Sequence, residues 1–107
     1  MTNFISTGST YWLSDEEIQI LEKIATNGDK NSAFKLYQYH MFVSLDQDLE
    51  FKWLEIAAKN GHPIAQSNLA DLFFTQGNKE KAIFWAKKAY RNGAKLPDEL
   101  KILININ

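Results

Sequence analysis

The stretch from Trp53 to Phe73 reads WLEIAAKNGHPIAQSNLADLF, and much of it recurs one unit further along the chain. Setting Trp53 on Trp85 gives a shift of 32 residues, which places Ala57 on Ala89, Asn60-Gly61 on Asn92-Gly93 and Ala33 on Ala65. A weaker echo upstream aligns Leu21-Glu22 and Asn27-Gly28 with Leu54-Glu55 and Asn60-Gly61 at a shift of 33. Self-similarity at a period of roughly 20 to 50 residues is the signature of stacked repeats. A unit this short cannot bury its apolar face alone, so its neighbours must lean on it.

Local signals fill in the units. Ser14-Asp15-Glu16-Glu17 has the S-x-x-E spacing of a capping box, with Leu13 and Ile18 placed as a hydrophobic staple. The pattern predicts a helix over 15–26 with Ile18, Leu21, Ile24 and Ala25 on its apolar face, stopped by Asn27-Gly28. A second helix over 30–43 carries Ala33, Phe34, Leu36, Tyr37, Met41 and Phe42. After a polar turn in which Asp46 can cap, a third spans 47–59 with Phe51, Trp53, Leu54, Ala57 and Ala58 apolar. Pro63 suits the first position of a fourth helix over 63–75, and Asn78 is an N-cap for a fifth over 79–91. Leu96-Pro97-Asp98-Glu99 predicts a sixth, short helix with Pro97 at its first position. Residues 102–107 also alternate apolar and polar as a strand would; the helix that frays is the preferred reading.

The expected fold is therefore all-α: stacked antiparallel helical hairpins, an α-solenoid of about two repeats with terminal capping helices. One domain covers 1–107. Residues 1–13 form a leader, 14–28 an N-terminal helix, 29–61 repeat one, 62–93 repeat two and 94–107 a C-terminal cap. Alanines at 57, 58, 65, 70, 82, 86 and 89 let backbones approach closely, while Trp53, Phe73 and Trp85 fill the spaces between pairs.

Composition narrows the function. Net charge is −1, but residues 1–50 sum to −5 and 51–107 to +4. There is no cysteine, hence no disulfide or thiolate site. MTNFISTGST lacks the basic and apolar regions of a secretory signal, and no apolar run approaches the ~20 residues of a membrane span. A cytoplasmic location is expected. His40 and His62 are the only histidines and lack metal-ligand spacing; no phosphate loop, dinucleotide fingerprint or nucleophile elbow occurs. No catalytic residue, metal, cofactor or small-molecule substrate is expected, and the chain reads as a non-enzyme. The acids Asp46, Asp48 and Glu50 read as a cap and a solvated face. Lys79, Lys81, Lys87, Lys88, Arg91 and Lys95 are split between the ends of one helix and interrupted by Glu80, so no nucleic-acid surface is expected.

Ala57, Ala58, Gly61, Ala65, Leu69 and Phe73, with Lys81, Ala82 and Trp85, resemble the pattern of the Sel-one-like repeat, a relative of the tetratricopeptide repeat. The resemblance covers about Ile20 to Gly93. It departs where the family's glycine after the leucine is Ala70, with Gln38 in the preceding unit, and where the glycine-rich loop between helices is missing. It implies that the second and fourth helices line a concave groove. Groove positions would be Lys35, Tyr39 and Phe42 on the second helix, and Ser67, Asp71, Phe74 and Thr75 on the fourth. The implied role is protein binding. A start methionine and apparent capping at both ends suggest a free-standing unit. Small cytoplasmic proteins resembling this family include immunity proteins that neutralise bacterial toxins, and occlusion of such a toxin is the first expectation. An adaptor or regulator reading a peptide in the Tyr39–Asp71 groove is the alternative; a small hydrolase or RNA-binding protein is a third reading.

Overall fold

The computed structural model describes residues 10–106, so most of the expected leader, 1–9, and the final Asn107 lie outside the described residues. Within the described residues, six helices follow one another in full: α1 Asp15–Thr26, α2 Lys30–Phe42, α3 Gln47–Lys59, α4 Pro63–Thr75, α5 Lys79–Arg91 and α6 Asp98–Leu103. The described residues contain no strand. The tightest pairings are α2 with α3 and α4 with α5, which are the hairpins of the two expected repeats. α1 packs on α2, α3 on α4, and α6 on the end of α5. Each helix thus leans on the one before it, and the radius of gyration is 15.0 Å. A globular domain of about 100 residues has roughly 13 Å. The excess is what a stack requires.

The ends of the helices explain the register. At α1, Ser14 N donates to Glu17 Oε1 at 2.9 Å and Glu17 N to Ser14 Oγ at 3.1 Å, which completes the capping box. Asp29, Asp46 and Asn78 accept from Ser32, Leu49 and Lys81 amides at 2.9, 3.1 and 3.2 Å. His62 caps α4 by accepting the Ala65 amide on Nδ1 at 3.3 Å, ahead of Pro63 at the first helical position.

Four helices stop in one way. After α3, Gly61 N donates to Ala58 O and His62 N to Ala57 O, both at 3.0 Å, with Gly61 at φ 97. The pattern repeats after α1, α4 and α5, and it satisfies carbonyls that the helix leaves open. Glycine is there because the left-handed backbone penalises a Cβ. The exit from α2 is the exception: Leu45 takes φ 56 and is 72% exposed.

Burial follows the small-residue stripe. Ala33, Ala57, Ala65, Ala70, Ala82, Ala86 and Ala89 are all fully buried, along with Leu36, Leu69 and Leu100. The larger apolar cluster draws on α1 to α5; the smaller gathers Ala70, Ala86, Ala89, Leu96 and Leu100 near α6. One expectation is met only in part and two need correction. Trp85 is only half-buried, set edge-on to Phe84 with ring centroids 5.1 Å apart, whereas Trp53 is 2% exposed. Ile24, expected on the apolar face of α1, is 43% exposed, because Ile18, Leu21 and Ala25 already fill the contact with the core. Pro97 is the N-cap of α6, not its first residue, because its ψ of 155 is extended. The tail takes the helical alternative, with Leu100 and Leu103 inward and Asn105 at φ 63 closing it.

Candidate functional site

A groove crosses the junction of the two hairpins. Tyr37 from α2, Glu50 and Leu54 from α3, and Asn68, Asp71, Leu72 and Thr75 from α4 line a depression of ≈ 300 Å³. A second, of ≈ 340 Å³, continues it past Glu50, Leu54 and Leu72 to Gln47, Phe51 and Gln76. Two carboxylates and three side-chain amides face this groove, and its lining among the described residues holds no lysine or arginine.

The helices fix these groups through the repeat packing itself. Asn68 Nδ2 donates to the Tyr37 hydroxyl at 3.2 Å and so ties α4 to α2. Burial raises the Tyr37 phenol above its ordinary pKa, and the Glu50 carboxylate nearby adds to the rise. The phenol therefore stays neutral. Thr75 Oγ1 donates to the Leu72 and Asp71 carbonyls at 2.9 and 3.2 Å, so its hydroxyl is already engaged by its own helix. A neutral rim with two carboxylates is suited to accept hydrogen bonds from a guanidinium or ammonium group.

The residues expected in the groove do not all meet. Asp71 and Thr75 line it. Lys35 is exposed on α2, and Tyr39 is half-buried with its ring edge-on to His40 at 5.1 Å. Phe42 is 39% exposed and stacks on Tyr11 at 4.5 Å, so it holds the segment before α1 against the end of α2. Phe74 is wedged between the two apolar clusters. Ser67 is buried and borders a different cleft, at the opposite end of α4.

Reading the sequence missed Glu50, Tyr37 and Asn68. A signal for Glu50 was present: the 32-residue shift sets it against Ala82, which is fully buried. A carboxylate at the register position of a buried alanine must be held at an opening. Of the neighbouring acids, Asp46 caps α3 as expected and Asp48 is exposed in its first turn.

Both histidines have structural partners. His40 Nδ1 lies 2.7 Å from Ser44 Oγ, and His62 both caps α4 and stacks on Phe34 at 4.0 Å. Burial lowers the pKa of each. Among the described residues, no three His, Cys, Asp or Glu side chains gather as a metal site would need. None of the described helices is long and apolar enough to cross a membrane. Lys81 and Lys88 sit over the Phe73 and Phe84 rings, each 5.2 Å from the centroid.

The fold and groove define an all-helical hairpin stack with an acidic crease. No family model matches the chain, and no solved structure matches it. The chain is similar to an uncharacterized protein, YibG, of Escherichia coli (strain K12), with 35% identity over 95 residues. The match takes in 82% of this chain and 62% of that protein, so the chain spans about three fifths of the length of the curated relative it matches.

Proposed function

We propose that the chain is a non-enzymatic protein-binding module of the Sel-one-like type, and that its acidic groove receives a basic surface of the partner. The observation behind this reading is the groove lining: Glu50 and Asp71 among neutral amides, in a chain whose first 50 residues sum to −5. Opposite potentials steer encounter and fix orientation, and a rigid stack adds little ordering cost on binding. The most concrete form is a cytoplasmic immunity protein that covers the active surface of a bacterial toxin. That form rests on the resemblance of the repeat units.

The test is co-purification with the product of the neighbouring gene, followed by titration of the pair. Reversing both groove charges, Glu50→Lys with Asp71→Lys, is expected to weaken the complex about tenfold or more at low salt. No complex with any adjacent gene product, or an affinity indifferent to the reversal, would count against the reading.

The adaptor reading is separated by single alanines at Glu50 and Asp71, which line the groove as Tyr39 does not. A peptide held in the groove would be lost with either change, whereas a broad occluding interface tolerates each alone. Phe74 is unsuited to that comparison because it supports the core.

A further inference from the structure

At the other end of α4 lies a cleft of ≈ 650 Å³, formed where the α3–α4 turn faces the connection from α5 to α6. Its walls are Pro63, Ile64, Leu96 and Pro97, with Gly93 and Ala94 as floor, and Ile64 leaves 54% of its surface open. A concavity of roughly 300 to 1,000 Å³ with apolar walls and a few convergent polar groups is the form that small-ligand sites take.

Apart from Asn68, which also lines the acidic groove, the polar groups differ from those found there. Ser67 borders the cleft with only 7% of its surface exposed, and its hydroxyl has no hydrogen-bond partner among the described residues. The other serine and threonine hydroxyls in these helices have partners: Thr26 and Thr75 bond back to their own helices, and Ser32 donates to Asp29. An unpaired hydroxyl on a nearly buried residue at the wall of the cleft is a waiting donor. His62 accepts the Ala65 amide on Nδ1, so its neutral ring carries the proton on Nε2. Lys95 stands on the facing connection, and the thirteen-residue α4 points its positive N-terminal end here. No carboxylate lines this cleft. Donors at an apolar wall fit a ligand that is part hydrocarbon and part anion.

We propose that this cleft binds an aliphatic carboxylate, with its hydrocarbon against Ile64 and Leu96 and its anion at the Ser67 hydroxyl and the start of α4. The site shares only Asn68 with the acidic groove and does not depend on the partner reading. Two sources share this chemistry, a free short-chain acid and the end of a peptide finishing in leucine, and the experiment separates them.

Uniformly ¹⁵N-labelled full chain is titrated with 4-methylpentanoate, with N-acetylglycyl-leucine and, as the uncharged control, with 4-methylpentanamide, each to about 10 mM, a range suited to so small a ligand. The expected result is saturable shifts of the Ile64, Ser67, Lys95 and Leu96 amides with a carboxylate and none with the amide control. Saturation by 4-methylpentanoate assigns a free acid; saturation by the dipeptide alone assigns a chain end. Ser67→Ala removes a hydroxyl that no described protein group uses, so the fold is kept while affinity falls about three- to tenfold. Saturation by neither acid, equal binding of the amide control, or unchanged affinity in Ser67→Ala would overturn the proposal.

Discussion

Asn92 donates from Nδ2 to the Gln66 Oε1 at 2.9 Å, while Gln66 Nε2 donates to the Ala58 carbonyl at 3.0 Å. One amide, 3% exposed, thereby joins the end of α3, the first turn of α4 and the residue that closes α5. Gln66 occupies the position that Phe34 holds one unit earlier, where Phe34 instead stacks on His62. The same structural joint is made once by hydrogen bonds and once by rings.

Gln66→Leu is expected to destabilise the fold by about 1–3 kcal/mol, because it strips a buried carbonyl of one donor and Asn92 of its acceptor. Asn92→Ala removes a bond at a more exposed position, about 0.5–1.5 kcal/mol. Urea melts of both single variants and the double should show the effects to be less than additive. Simple additivity would mean the bond carries no weight.

The two repeat tryptophans should part company. Trp53→Ala is expected to cost about 3–5 kcal/mol, as a large enclosed side chain does. Trp85 keeps part of its ring in water, so Trp85→Ala should cost distinctly less under the same urea denaturation. Equal losses would contradict the burial of Trp53 at 2% exposure against a half-buried Trp85.

Leu45 pays the left-handed penalty that glycine avoids at the exits of α1, α3, α4 and α5, and its side chain is mostly in solvent. Leu45→Gly should raise stability by about 1 kcal/mol, or roughly 4 °C in thermal midpoint for a domain of this size. A lower midpoint would show that the leucine makes contacts worth more than the strain.

The helices were legible in the sequence because short-range chemistry sets them. Capping side chains, Pro63 and the Asn-Gly stops act within one turn, so helix limits could be read residue by residue. The alanine stripe was legible for the same reason, since its period is the period of the helix. The groove was not, because it joins Tyr37 to Asn68 and Glu50 to Asp71 across units, and one-dimensional spacing does not say which polar side chains converge. Phe42 misled because its partner, Tyr11, precedes the repeats. Trp85 packs against both clusters as expected, but part of its ring stays in water because only a short α6 follows α5.

Stability should fall as the medium is acidified from pH 7 toward 5. Burial holds His40 below its ordinary pKa; Asp46 and Glu22 pull it upward and Lys52 pushes it down, but enclosure dominates. The unfolded chain then binds a proton that the native state refuses, so the stability is present above the unfolded value and drains away as pH falls toward the native one. His62 acts in the same direction. His40→Gln should flatten the pH dependence of the urea midpoint, and adding His62→Gln should flatten it further. A slope unchanged in both would remove the histidines from the account.

Phe74, Trp85 and Leu103 each touch both apolar clusters. Repeat stacks often come apart link by link, but here three side chains rivet one cluster to the next. Losing the α6 end therefore loosens the α2–α3 hairpin too, and the melt is expected to be a single concerted step. Any partner then meets either the whole face of the molecule or none of it.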